Sequence, residues 1–152
     1  MGIKTTLYDQ DFYAWTQEQA ALLREGAVQD LDLTNLAEEI ESLGKSEMRA
    51  LESHLEVLVL HLLKWQYQPA RRQTGHSWRA TIRTQRAALA DMLEESPSMA
   101  RELFTLLTKG YSLARQWASD DTHLPLATFP VECPWSLEQV LAEDFWPEGG
   151  PQ

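Results

Sequence analysis

A chain of 152 residues, 43% hydrophobic and with six tryptophans, is long enough to bury a core and too apolar to stay disordered. One cysteine, Cys133, excludes an intrachain disulfide, and the most apolar stretch, Leu55 to Trp65, is interrupted by Glu56 and His61 and too short to span a bilayer. The net charge of −10 repels nucleic acid at long range, yet residues 64–86 hold six basic side chains and no acidic one.

The N-terminal MGIKTTLYDQDFY has no apolar run of the signal-peptide kind, so the expectation is a soluble, cytoplasmic protein. In the first helix, Phe12, Trp15, Gln19, Leu22 and Leu23 recur at helical spacing. Asp9 or Asp11 is placed to cap its start, and Gly26 lies just past its end. Asp32 and Thr34 then offer caps for a second helix.

That helix carries Leu33, Leu36, Ile40, Leu43, Leu51, Leu55, Leu58 and Leu62 on one stripe and stops before Pro69. Unbroken, it would be about 50 Å long at 1.5 Å per residue. Either it kinks near Gly44, or part of it packs on something other than its own chain. QPARRQTGHS reads as a turn, and Ser77 as the cap of a third helix with Trp78, Ile82, Gln85, Leu89 and Leu93 inward. Ser96 and Pro97 open a fourth helix. Its inward side carries Met99, Leu103, Leu107, Gly110, Leu113, Ala114 and Trp117. The proline-marked segment after it is extended and ends in a short helix, where Ser136 and Gln139 have capping-box spacing. The reading is a single all-α domain over residues 1–152, four-helix-bundle-like. Its core spans roughly residues 8–120, and residues 121–152 form a C-terminal arm.

The blocks YDQDFYAWTQEQAALLREG, NLAEEIESLG, HLLKWQYQP, SWRATIRTQR and FPVECPW occur in this order. With them the chain resembles the bacterial domain-of-unknown-function family twenty-nine, found in cyanobacteria and proteobacteria. The resemblance runs from Tyr8 to Pro147 and implies a small, single-domain, mostly helical protein. It brings no activity, cofactor or catalytic residue with it.

Two constellations stand out. At roughly 100° per residue, Glu47, His54 and His61 share the inward stripe of the second helix with Leu33 and Ile40. Glu39 flanks them, and Glu38 points away. Carboxylates and imidazoles on facing helices are how bundles hold metals. Seven residues of helix, however, separate His54 from His61 by about 10 Å. The Glu-x-x-His spacing of di-iron bundles is absent, and His76 and His123 fall in connections. Neutral histidines hydrogen-bonded at a seam are the favoured reading, with no metal and no cofactor expected. Glu38, Glu39 and Glu41 suit a helix start and an ion pair with Lys45.

The second constellation is Arg72, Arg79, Arg83 and Arg86, interleaved with Trp65, Tyr67, His76 and Trp78. Arginine among aromatics can bind an anion or nucleic acid. Acids of the second helix, Glu38, Glu41, Glu52 and Glu56, offer a nearer ion-pair partner. Trp135 and Trp146 are placed to clamp the arm to the helices or to a partner, and Cys133 reads as a structural thiol. There is no phosphate-binding glycine loop, serine nucleophile elbow or zinc-type cysteine pair.

The expectation is a non-catalytic protein-interaction or self-association module, a homo-oligomer without membrane or nucleic-acid partners. The rival is a metal-dependent helical enzyme using Glu39, Glu47, His54 and His61. The third reading is an anion or nucleic-acid binder through the arginines.

Overall fold

The computed structural model describes residues 6–72 and 76–148, with His76 described in its backbone alone. Among these residues six α-helices appear, α1 (Leu7–Gln10), α2 (Phe12–Glu25), α3 (Leu33–Tyr67), α4 (His76–Glu95), α5 (Leu103–Thr122) and α6 (Leu137–Leu141). Short 3-10 turns join them, and no strand occurs among the described residues. The fold is all-α, as the apolar spacing predicts. α3 stays helical through Gly44, so the overlong helix exists as one element. By compactness the chain divides into Met1–Ser46 and Glu47–Gln152.

In the first unit, local chemistry sets the boundaries. The Asp11 carboxylate accepts the Ala14 N–H at 3.0 Å and so caps α2. Gly26 ends the helix at φ 73°, a left-handed conformation that costs glycine nothing. Asp32 caps α3 and does more. Its Oδ2 accepts from the Trp15 indole at 3.0 Å and from the Asn35 amide at 2.8 Å, and its backbone N–H donates to Gln19 Oε1 at 2.8 Å. The Asn35 amide, above all, holds the Asp32 carboxyl below the usual carboxylate range. The Tyr8 hydroxyl donates to Glu39, and Tyr8, Phe12 and Trp15 form an aromatic cluster.

These bonds correct the expected inward faces. Trp15 and Gln19 are buried, but Phe12, Leu23, Leu33, Ile40 and Leu43 are exposed. α1 through Tyr8 and α2 through Trp15 and Gln19 engage the Asp32 and Glu39 side of α3, and the leucine stripe lies beside those contacts rather than in them.

In the second unit the stripe is inward as expected. Leu51, Leu55, Leu58 and Leu62 join Ile82 and Leu89 of α4 and Leu103, Leu107 and Ala114 of α5 in one core. Gly110 is needed there for close approach, because a Cβ on it would stand 3.0 Å from Glu56 Cγ. Leu113 and Trp117, expected inward, are exposed; the buried side of α5 instead runs through Leu106, Tyr111 and Ala118.

Two boundaries differ from expectation. Helix α4 begins at His76, so Ser77 lies inside it. The turn after Ser96 and Pro97 is a 3-10 segment, Pro97–Glu102, in which Ser96 makes no side-chain cap bond. Residues 73–75 of the expected turn and the side chain of His76 lie outside the described residues.

His123 ends α5 in the left-handed region at φ 60°. The segment beyond it is tied to α5: Arg115 Nε donates to the Phe129 carbonyl at 3.0 Å, and the Tyr111 hydroxyl donates to that of Pro130 at 2.5 Å. The capping box of α6 forms as the spacing predicts, with Ser136 and Gln139 exchanging bonds of 2.9 and 3.1 Å.

Candidate functional site

The polar stripe of α3 is engaged piecemeal. Glu39 accepts from Tyr8, and Glu47 is exposed. His54 Nδ1 lies 2.5 Å from Gln85 Oε1, so a bond joins α3 to α4. His61 Nδ1 donates back to the Val57 carbonyl at 2.8 Å, one turn earlier. Burial, above all, lowers the His61 pKa and favours its neutral ring. Each histidine therefore has its own partner. Among the described residues no group of three or more His, Cys, Asp or Glu side chains could hold a metal ion.

The arginines of the basic block have a different use. Arg72 Nε donates to the Trp65 carbonyl at 2.6 Å, its Nη2 reaches the Pro147 carbonyl at 3.5 Å, and its guanidinium lies 5.1 Å from the Trp65 ring centroid. Arg79 sits over two indoles, 5.7 Å from Trp65 and 5.1 Å from Trp146. Those two rings are 4.8 Å apart. Arg86, only 4% exposed, lies 5.6 Å from the Trp146 ring. Its Nε donates to the Val140 carbonyl at 2.9 Å and its Nη2 to that of Gln139 at 3.4 Å. A guanidinium is suited to this because its planar fork can donate in-plane while its face rests on an aromatic ring.

Three arginines and two tryptophans therefore fasten the C-terminal segment onto α3 and α4. Among the described residues none of the three forms an ion pair with a carboxylate, although Glu148 lies near Arg72, and Asp144 and Glu143 near Arg86. Glu52, one of the acids expected to meet them, pairs with Lys109 at 3.3 Å, and Lys64 pairs with Asp121 at 2.7 Å. Glu56 is partly buried, and burial pushes its pKa up, with Glu52 adding to the shift. Arg79 and Arg83 are the exposed members of the four; Arg83 lines a shallow cavity of about 350 Å³ with Arg86 and Glu143. The clamping role of Trp146 was legible from an aromatic residue in an extended arm. Its arginine and tryptophan partners were not, since they lie on α3 and α4, about 60 residues or more away in sequence.

A larger concavity lies between α5 and the segment after it. This groove of about 500 Å³ has Leu107, Tyr111, Cys133 and Trp135 among its lining, with Phe104 and Val131 also contributing. The Cys133 thiol donates to the Trp135 carbonyl at 3.4 Å, and burial raises its pKa. That burial disfavours its reactive thiolate form. No sequence pattern announced the groove, because its two walls come from separate segments.

No helix among the described residues is long and apolar enough to cross a membrane. No curated protein and no solved structure matches the chain. A family model does match, over residues 7–146 and so nearly the whole length. The chain belongs to the family described as domain of unknown function DUF29.

Proposed function

We propose that this protein is a non-catalytic association module that pairs with a second copy of itself through the apolar flank of its first unit. The distribution of exposed hydrophobic side chains supports this reading. Residues 6–46 are fewer than a third of those described, yet they hold seven of the twelve large exposed hydrophobics: Phe12, Tyr13, Leu23, Val28, Leu33, Ile40 and Leu43. Trp15 is the one hydrophobic residue counted as buried there. A segment of about 40 residues with so little core needs a metal, a disulfide or a partner, and its described residues contain no cysteine.

The bonds of Trp15 and Gln19 of α2 to Asp32, and of Tyr8 of α1 to Glu39, run α1 and α2 together antiparallel to the start of α3. With about 100° per residue, Phe12 and Leu23 then share one flank of the pair with Leu33, Ile40 and Leu43. At roughly 100 Å² each, five such side chains offer about 500 Å². That is enough for the apolar centre of an interface burying about 800 Å² per partner. The deficit of core is permanent, so its cover must be always at hand, and a second copy is.

Analytical ultracentrifugation of the full chain tests this. The expected result is a dimer that tightens with salt, since residues 1–63 carry twelve acidic against four basic side chains. Leu33→Asp or Ile40→Asp weakens it by tenfold or more while helical content is kept. A native chain that sediments as a monomer at all concentrations overturns the reading.

A further inference from the structure

We infer that the groove between α5 and the segment after it binds a cationic, apolar-anchored segment of a partner protein. The site lies within the second unit and does not depend on the pairing proposed above. Its floor is Leu107, Tyr111 and Trp135, and Phe104 and Val131 stand at 70% and 76% exposure. A cavity of about 500 Å³ with mostly apolar walls is in the range that takes two or three apolar side chains.

The two exposed residues decide between a small molecule and a protein segment. A small ligand seated on the floor would leave most of Phe104 and Val131 in water. A peptide chain crossing the groove covers floor and rim together, as helix-in-groove recognition does.

Charge then decides the kind of segment. Glu132 lines the groove. It is exposed, and among the described residues it has no ion-pair partner. The neighbouring cations are engaged. Lys109, next to the lining residue Thr108, is held by Glu52 at 3.3 Å, and Arg115 donates to the Phe129 and Leu126 carbonyls. The groove therefore presents apolar walls with the unpaired Glu132 carboxylate among them. Its complement is leucine- or phenylalanine-type anchors flanked by lysine or arginine.

The test uses the full chain carrying Ile40→Asp, so that the apolar flank of the first unit neither pairs nor competes. Fluorescence anisotropy follows a labelled amphipathic Leu/Lys peptide, with a Leu/Glu peptide of the same pattern and free indole as comparisons. The Leu/Lys peptide is expected to bind at least tenfold more tightly than either. Phe104→Ser with Val131→Ser should weaken it tenfold or more, and Glu132→Lys severalfold. Both side chains are solvent-exposed, so these variants should keep the native melting temperature. Failure of the Leu/Lys peptide to bind overturns the proposal, as does binding indifferent to the Phe104 and Val131 changes. Equal binding of free indole would assign the groove to small molecules and overturn it as well. A monomeric native chain would count against the self-association reading without touching this one.

Discussion

The ring of Trp146, close to the C-terminal end of the described chain, lies 4.8 Å from that of Trp65 on α3, with the Arg79 guanidinium within 6 Å of both. Arg72 and Arg86 extend the stack at its two ends. The basic block that looks like an anion surface in the sequence is thus largely spent on fastening one segment of the chain to another.

Trp146→Ala removes the ring on which Arg79 and Arg86 both rest. The lost packing and two cation–π contacts should destabilise the second unit by about 2–4 kcal/mol. Urea denaturation measures the loss. Limited proteolysis should then cut near residues 142–148 at protease concentrations that leave the native chain intact. Unchanged proteolysis would mean that the clamp does not hold the segment.

Arg86→Lys keeps the charge but not the fork. Lysine cannot donate to the Val140 and Gln139 carbonyls from the same plane while lying flat on Trp146. Two charge-assisted bonds to the end of α6 are weakened, with an expected cost of about 2–3 kcal/mol. Because Arg83 is exposed, Arg83→Lys should change stability by less than about 0.5 kcal/mol. Equal effects at the two positions would contradict the assignment.

Glycine-to-alanine changes at two helical positions should have opposite signs. At Gly44 an added methyl meets nothing within 4 Å, so the better helix propensity of alanine should stabilise α3 by about 0.5–1 kcal/mol. At Gly110 the methyl would stand 3.0 Å from Glu56 Cγ in the core, and repacking there should outweigh the propensity gain. Thermal melts of the two variants, compared with the native chain, check both signs at once.

His61 predicts an acid-side loss of stability. Its pKa is lowered from the ordinary 6.5, chiefly by burial, so the unfolded chain takes up the proton more readily. The contribution is complete above pH 6.5 and declines as pH falls from there through the lower folded-state pKa. Below that value both states are protonated and the slope ends. Denaturation midpoints measured from pH 7.5 to 4.5 should fall less steeply in His61→Gln; parallel curves would remove His61 as the cause.

Much of the architecture is decided by local chemistry and is legible without coordinates. The Asp11 cap, the Gly26 stop, the Ser136 and Gln139 box and the leucine repeat of α3 from Leu51 to Leu62 each act over a few residues. Each therefore appears in the structure where its spacing predicts. The same reasoning fails at Leu33, Ile40 and Leu43. A helical period defines a stripe but does not say which flank of it a neighbour will cover. Asp32, by gathering Trp15, Gln19 and Asn35, turned α2 toward the polar side instead. The partners of the arginines and the groove beside Cys133 were likewise beyond local reasoning. They exist only because residues dozens of positions apart are brought together by burial of one core, and no short-range pattern encodes which pairs those will be.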